Sequence, residues 1–171
     1  MIRQSELRKK KTTCGIIDSK SIKNTNAAYE KGYDAGKKVS GIKLHILVDT
    51  QGLPHALYVS CANMTDRNGA IEMIQQNIDT LSDIEKIYVD GGYSGDNFAS
   101  KVQNYCPKAD VEVVKRNELH KFVVLPKRWV VERSFAWLEN YRRLWKNCER
   151  LLHSSLQMTV LAFLSLLLNR F

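Results

Sequence analysis

The sequence predicts a mixed α/β domain, in which a sheet is flanked by helices and a hydrophobic helix closes the chain. Short apolar segments are first paired locally through a tight turn and later alternate with helical segments, the order typical of a mixed sheet. The chain has 171 residues, of which 44% are hydrophobic, enough for one compact domain with a core.

The first half of the chain contains three candidate strands. Residues 14–18 are a short apolar run that ends at Asp18. Residues 41–49 alternate apolar and polar side chains, the pattern of a half-buried strand. A turn at 50–54 and a returning strand at 55–62 complete a predicted hairpin.

Helices and strands alternate in the middle of the chain. Residues 65–78 form a helix capped by Thr65, despite one interior glycine. Strand 86–90 follows, and after a glycine turn come helix 95–105 and strand 111–116.

A long amphipathic helix is predicted from Pro126 to residue 150, since proline is tolerated in a first turn. Its opposite face carries charged residues, Glu132 among them. Residues 154–171 form a closing helix that is apolar nearly all round. The predicted apolar face of the long helix comprises Val130, Val131, Phe135, Trp137, Leu138, Tyr141, Leu144, Trp145 and Cys148.

Charge is distributed unevenly along a chain whose net charge is +8. Residues 1–48 carry eleven Lys/Arg against four Asp/Glu, 49–114 carry four against ten, and 115–150 carry ten against four. Two basic blocks that flank an acidic middle favour a polyanion such as DNA as partner.

Cellular location is suggested by cysteine spacing and by the N-terminus. The four cysteines are far apart, which signals neither a zinc site nor a disulfide framework and fits a reduced cytosol. Residues 1–13 are a basic arm or linker without the apolar core of a signal peptide. The longest apolar run, 160–168, is too short to cross a bilayer, so no membrane association is expected.

Three acids are candidate metal ligands: Asp18 and Asp90 at strand ends, and Glu132 on a cationic helix face. If the two strands are neighbours, both aspartates emerge side by side, and a helix laid across them brings Glu132 close. Clustered carboxylates repel one another unless hard divalent cations bind there, and two such ions suit phosphoryl displacement. Each acid also has a structural explanation: turn residues for the aspartates, and a surface pair with Arg128 for Glu132.

Basic side chains near these acids are candidate phosphate contacts; a solvated loop is the alternative for the lysines after Asp18, and a solvated strand face is the favoured explanation for Lys43 and His45. They fall into two groups, one after Asp18 and one on the long helix. The first comprises Lys20, Lys23, Lys37, Lys38, Lys43 and His45, and the second Arg128, Arg133, Arg143, Lys146 and Arg150.

Taken together, several stretches resemble DDE transposases of bacterial insertion sequences, closest to the groups called insertion sequence four and five. The similarity spans residues 14–168. The stretches that carry it are 16–23, 36–54, 60–70, 87–98 and 128–150.

The resemblance implies a ribonuclease-H-like catalytic domain over 14–171 with adjacent first and fourth strands. It implies that Asp18 bridges two Mg²⁺ ions, for which Mn²⁺ could substitute, and that Asp90 and Glu132 are the second and third catalytic acids. The implied activity is cleavage at transposon ends and joining of the 3′-hydroxyl to target DNA. The implied partner is double-stranded DNA, in the nucleoid-associated cytoplasm of a bacterium.

The chain departs from the family pattern around the third acid. The pattern there is Tyr-x₂-Arg-x₃-Glu-x₆-Lys; Arg128 and Glu132 match it, but Leu125 replaces the tyrosine and Glu139 the lysine. Arg143 or Lys146, further along the same helix face, could replace that lysine.

Relatives usually carry a further N-terminal region that recognises the element's ends. The chain therefore resembles a catalytic half, either a truncated copy or a second reading frame joined to an upstream product, and self-association is also expected. The alternatives are a truncated, non-catalytic DNA-binding inhibitor of full-length transposase and a general nuclease of the same fold.

Overall fold

The computed structural model describes residues 11–114 and 128–170, without the side chains of Asp96, Arg128 and Arg170. The predicted mixed α/β class is confirmed. The strands are β1 (Cys14–Lys23), β2 (Gly32–Asp34), β3 (Val39–Val48), β4 (Pro54–Cys61), β5 (Lys86–Asp90) and β6 (Asp110–Val114). The helices are α1 (Asp66–Gln76), α2 (Ile78–Leu81), α3 (Asp96–Tyr105), α4 (Arg128–Glu139) and α5 (Leu152–Arg170), with a 3₁₀ turn at Gly91–Tyr93.

One six-stranded sheet organises the molecule. Its order is β2-β3-β1-β5-β6, with β4 also paired to β3. The pairs β1–β3, β2–β3 and β3–β4 are antiparallel, which confirms the predicted hairpin, whereas β1–β5 and β5–β6 are parallel. The first and fourth predicted strands are therefore neighbours in the sheet.

Strand β1 is longer than predicted. It continues past Asp18 to Lys23 and stays paired with β3 up to the pair Lys23↔Gly41. The apolar pattern stops at Ile17, but the ladder continues because the backbone of β3 still supplies hydrogen-bond partners. Asp18 thus lies inside a strand rather than at its end, and strand β2 was not predicted at all.

Helices cover both faces of the sheet. One buried cluster joins residues of α1 and α3 to the sheet, and a second joins residues of α4 and α5 to the other face. The predicted cap of α1 is confirmed, since the Thr65 side chain accepts a hydrogen bond from the Asn68 N–H at 3.2 Å. The interior Gly69 has a packing reason: a Cβ there would lie 2.0 Å from Cε1 of His45.

Helix α4 is shorter than predicted, ending at Glu139 instead of residue 150. A turn follows, and the Asn147 N–H then donates to the Lys23 carbonyl at 2.9 Å. Because this pairing ties Asn147 to the end of β1, the chain leaves the helix axis. Trp145, predicted on the apolar face, is 62% exposed. The predicted start at Pro126 lies outside the described residues. The helical part of the predicted face is buried at Val130, Val131, Phe135 and Leu138.

The C-terminal helix is present as predicted. Helix α5 buries Ala162 and Phe163 and leaves Leu161, Leu164 and Leu168 exposed. Its stretch Leu152–Asn169 has a mean hydropathy of 1.3 and is 22% buried, and is long and apolar enough to cross a membrane by length and composition. The sequence expectation differs because it considered only the nine-residue run 160–168, whereas the mean over residues 152–169 stays at 1.3 although polar residues are included.

Candidate active site

Asp18 and Asp90 are brought together by the parallel ladder of β1 and β5. The ladder runs from Cys14↔Lys86 to Ile16↔Tyr88, and two further residues along each strand lead to Asp18 and Asp90. Both aspartates line one narrow crevice, together with Val131 of α4. The convergence of these two acids was conditional in the sequence analysis, because sequence alone did not show that the strands are adjacent.

Backbone hydrogen bonds orient both carboxylates. Oδ1 of Asp18 accepts from the Ser19 N–H at 2.7 Å, and Oδ1 of Asp90 accepts from the Gly92 N–H at 2.9 Å. Asp90 therefore caps the 3₁₀ turn, which is the structural role that the sequence analysis gave as the alternative to metal binding. A carboxylate has about four lone-pair sites, so one such bond leaves capacity for a cation.

Glu132 comes to the site from the other side. It is exposed on α4, next to Val131, whose side chain lines the crevice. Across residues 11–114 and 128–170, no three His, Cys, Asp or Glu side chains lie close enough together to hold a metal ion. The structure thus pairs two predicted acids and places the third on the helix beside them. The oxygen donors of the aspartate pair fit a hard cation such as Mg²⁺.

The turn between β3 and β4 anchors α4. The Ser134 hydroxyl donates to the Gly52 carbonyl at 2.9 Å, and the Arg133 guanidinium donates to the Gln51 carbonyl at 2.7 Å. Gly52 has φ +84°, a conformation that favours glycine. The carboxylate of buried Asp49 accepts two backbone N–H groups of the same turn. This anchor was missed from sequence, where the segment was recognised only as a turn.

Arg133, predicted to contact DNA, is stacked between two tryptophans. Its guanidinium carbon lies 4.4 Å from the Trp129 ring centre and 4.9 Å from that of Trp137. The two ring contacts and the hydrogen bond to the turn hold the Arg133 guanidinium alongside α4.

Lys43 and His45 are buried, so the predicted solvated strand face is wrong. Lys43 is 4% exposed, and its ammonium lies 3.0 Å from Asp34 Oδ2 and 2.8 Å from Asp66 Oδ1. His45 is 0% exposed, with Nε2 3.0 Å from the Ser60 hydroxyl. Helix α1 packs over this face, so neither side chain can reach a DNA phosphate.

Burial and partners set the protonation of this cluster. Burial lowers the pKa of His45 to about 4, which keeps the ring neutral. Burial would raise the pKa of Asp34, but hydrogen bonds from Ser21, Lys37 and Lys43 hold it well below its ordinary range. The Lys43 cluster (Asp34, Lys43 and Asp66) is therefore fully ionised at neutral pH.

The other predicted cations near Asp18 lie at the surface. Lys20 forms an ion pair with Glu139, and Lys37 donates to the Ser19 carbonyl at 3.1 Å. Lys23 and Lys38 are exposed.

The predicted cations after Glu139 do not share its helix face. Arg143 pairs with Glu149 at 2.5 Å, and the Lys146 ammonium lies 4.8 Å from the centre of the Trp145 ring. Because α4 ends at Glu139, the expectation that Arg143 or Lys146 continues that face is wrong. Glu139, which stands at the sequence position of the family lysine, is paired with Lys20 of β1. The side chain of Arg128 is outside the described residues.

Two cations beside the acids were missed from sequence. Arg67, at the start of α1, donates its Nε–H to the Gly92 carbonyl at 2.8 Å. Lys101 is exposed on α3 and lines the same groove as Gly92. Both come from the acidic middle of the chain, where a search for basic blocks gives no signal.

Known proteins resemble the chain in sequence. The Transposase DDE domain family matches residues 9–168. A protein of Burkholderia cepacia, described as a putative transposase for insertion sequence element IS402, is 29% identical over 121 residues, which cover 64% of this chain and 54% of that protein. The chain thus spans about half the length of this relative.

Solved retroviral structures share the fold. A chain of the simian T-cell lymphotropic virus intasome, in complex with PP2A regulatory subunit B56 gamma, has a TM-score of 0.59 at 15% identity, covering 91% of this chain and 48% of that one. The HTLV-2 integrase catalytic core domain in complex with magnesium, in dimeric form, has a TM-score of 0.51 at 18% identity, covering 86% and 82%. The predicted ribonuclease-H-like fold is confirmed, while the narrower grouping with insertion sequences four and five stays a prediction. With a family match that extends over nearly its whole length, the chain belongs to the DDE transposase domain family.

Proposed function

We propose that this chain is the catalytic domain of a metal-dependent DNA transposase. It cleaves phosphodiesters at the ends of an insertion sequence and joins the freed 3′-hydroxyl to target DNA. The observation that carries the proposal is the pairing of Asp18 and Asp90 in one crevice, beside the helix that bears Glu132. Family membership supports the same chemistry.

Asp18, Asp90 and Glu132 would hold two Mg²⁺ ions, with Mn²⁺ as a substitute. When bound, the ions would activate the attacking oxygen and neutralise charge at the phosphate. Asp18 would contribute from inside strand β1, which lies between β3 and β5. The chain's own contribution is positioning and charge neutralisation rather than a covalent nucleophile.

Exposed cations around the crevice would hold DNA through its phosphates, without reading sequence. Lys43 and His45 are not among them, because both are buried. Self-association or pairing with the product of an upstream frame would complete a transposase that acts in the bacterial cytoplasm. The cations retained from the sequence prediction are the exposed Lys23, Lys37, Lys38 and Arg143 and the half-buried Lys20 and Lys146.

The test is nicking of a supercoiled plasmid that carries the element's ends, with Mg²⁺, Mn²⁺ or EDTA. We expect nicking with either metal and none with EDTA. Asp18→Asn, Asp90→Asn and Glu132→Gln should each lower the rate on the order of 10³-fold, the equivalent of about 4 kcal/mol. The control is Asp83→Asn, which removes an exposed carboxylate elsewhere.

Each variant should bind nonspecific DNA nearly as well as the unchanged chain. A variant that nicks at the unchanged rate removes its residue from the site. Nicking that persists in EDTA would exclude a metal-dependent reaction.

A further inference from the structure

An open groove of about 610 Å³ lies beside the acid crevice. Its walls come from the segment between β2 and β3, from the start of α1 and from the start of α3. Gly92, two residues after Asp90, lines the groove. The groove therefore begins where the catalytic strand β5 ends.

The groove has a positive surface despite the two acids in its wall. Asp34 and Asp66 both pair with Lys43, which is buried between them. Lys37 also pairs with Asp66, its ammonium 3.7 Å from Oδ2, so two lysines balance the two acids. Arg67 and Lys101 are the cations that remain in the lining, and both are exposed. Because the two acids are balanced by lysines, the groove lining keeps a net positive charge. Such a surface favours a ligand with several negative charges.

Backbone groups add to this positive character. The first turns of α1 and α3, helices of 11 and 10 residues, both line the groove. In α3 the capping residue is Gly95, at φ 123°, and no side-chain hydrogen bond caps the helix. Uncapped N–H groups at a helix start favour an anion.

Arg67 connects the groove to the acid crevice. Its Nε–H bond to the Gly92 carbonyl fixes the guanidinium over the turn that follows Asp90. Lys101, from α3, lines the same groove as Arg67, so both cations are available to phosphates that lie in it. A volume of about 610 Å³ is within the range of small-ligand clefts, which is the scale of a short stretch of one strand.

We infer that this groove binds the sugar–phosphate backbone of one DNA strand adjacent to the cleaved bond, with Arg67 and Lys101 at its phosphates. The inference rests on the proposed function, because it takes Asp18 and Asp90 as the point of cleavage. It adds to that function a defined binding path for one of the two DNA strands.

The test compares the binding of two oligonucleotides, a blunt duplex and the same duplex with a single-stranded extension, with Ca²⁺ in place of Mg²⁺. Lys101→Glu should weaken binding of the extended duplex about fivefold or more near 0.1 M salt, and should lower its salt slope by about 0.7. Binding of the blunt duplex should change less than twofold. Arg67→Gln should act in the same direction.

The matched control is Lys108→Glu, the same charge change at an exposed lysine after α3, which does not line the groove. It should affect the two oligonucleotides equally. An equal loss on both for Lys101→Glu, or no loss, would overturn the groove path while leaving the proposed function intact. If the unchanged chain binds neither oligonucleotide and nicks no plasmid, the proposed function fails, and the groove path fails with it.

Discussion

The two sides of the candidate site are held by different forces. On the sheet side, Asp18 and Asp90 stand on neighbouring strands whose register fixes their separation. On the helix side, Glu132 is carried by α4, which no ladder connects to either strand. Apolar packing of Val130 and Val131 and two hydrogen bonds to the β3–β4 turn determine where that helix lies.

The difference indicates where the site can adjust. A ladder either forms in register or fails, since a slip by one residue turns every side chain to the other face. A helix held by packing can shift by fractions of an ångström without unfolding. The three acids should affect activity on either side. Among the residues that support them, we therefore expect those of the sheet side to act through stability and those that anchor the helix side to act through activity.

The largest effect on stability should come from the buried charge on the sheet side. Lys43→Met would leave Asp34 and Asp66 without their shared cation, and should lower the free energy of unfolding by about 3–5 kcal/mol. Urea denaturation measures this change. Lys108→Met, at an exposed lysine, should cost under about 0.5 kcal/mol.

Restoring charge balance provides a second measurement. Adding Asp34→Asn and Asp66→Asn to Lys43→Met should recover part of the lost stability. A triple variant no more stable than Lys43→Met would show that shape, rather than charge, makes the lysine necessary.

A smaller effect is expected from pH, again on the sheet side. His45 has a folded-state pKa of about 4, below its ordinary value of 6.5, so the unfolded chain takes up the proton first as pH falls. The stability is complete above about pH 6.5 and declines as pH falls towards 4, by about 2 kcal/mol between pH 7 and 5. The lowered pKa values of Asp34, Asp49 and Asp66 act in the same direction at more acidic pH.

Urea midpoints at pH 7 and pH 5 measure this dependence. His45→Gln should be less stable than the unchanged chain at pH 7 and should show little further loss at pH 5. The same loss in both proteins would assign the pH dependence to another group.

The smallest effect on stability is expected at the anchor of α4. Ser134→Ala removes the hydrogen bond to the Gly52 carbonyl and should cost about 1 kcal/mol. Because Glu132 lies two residues earlier on the same helix, we expect the nicking rate to fall severalfold while DNA binding is unchanged. Ser154→Ala, at a helical serine of α5, is the control and should alter neither.

The outcome at Ser134 decides whether the two sides differ at all. If Ser134→Ala lowers the stability but not the nicking rate, the position of Glu132 does not depend on this anchor. A loss of both in equal measure would mean that α4 is as rigidly tied to the fold as the strands.

Sequence was most informative where the side-chain pattern itself determines the structure. The strand at 41–49, the cap at Thr65 and the strand that ends at Asp90 were all predicted correctly. Each depends on neighbouring residues only. The pairing of β1 with β5 depends on residues some seventy positions apart, and no local pattern encodes it.

Long-range packing also explains the errors. His45 and Lys43 follow the pattern of a solvated strand face, but Gly69 allows α1 to lie directly over them. Helix α4 continues in pattern beyond Glu139, but Asn147 pairs with the end of β1 instead. In both cases a tertiary contact overrides a local preference.

Two of the chain's three tryptophans, Trp129 and Trp137, enclose the Arg133 guanidinium on α4. The emission of an indole depends on a cation over its ring, so these residues form a built-in optical probe of the helix that carries the third acid. Trp145→Phe would remove the remaining, outward-facing indole and leave a signal from α4 alone. Any movement of that helix on encountering nucleic acid or a divalent ion could then be followed without an attached dye.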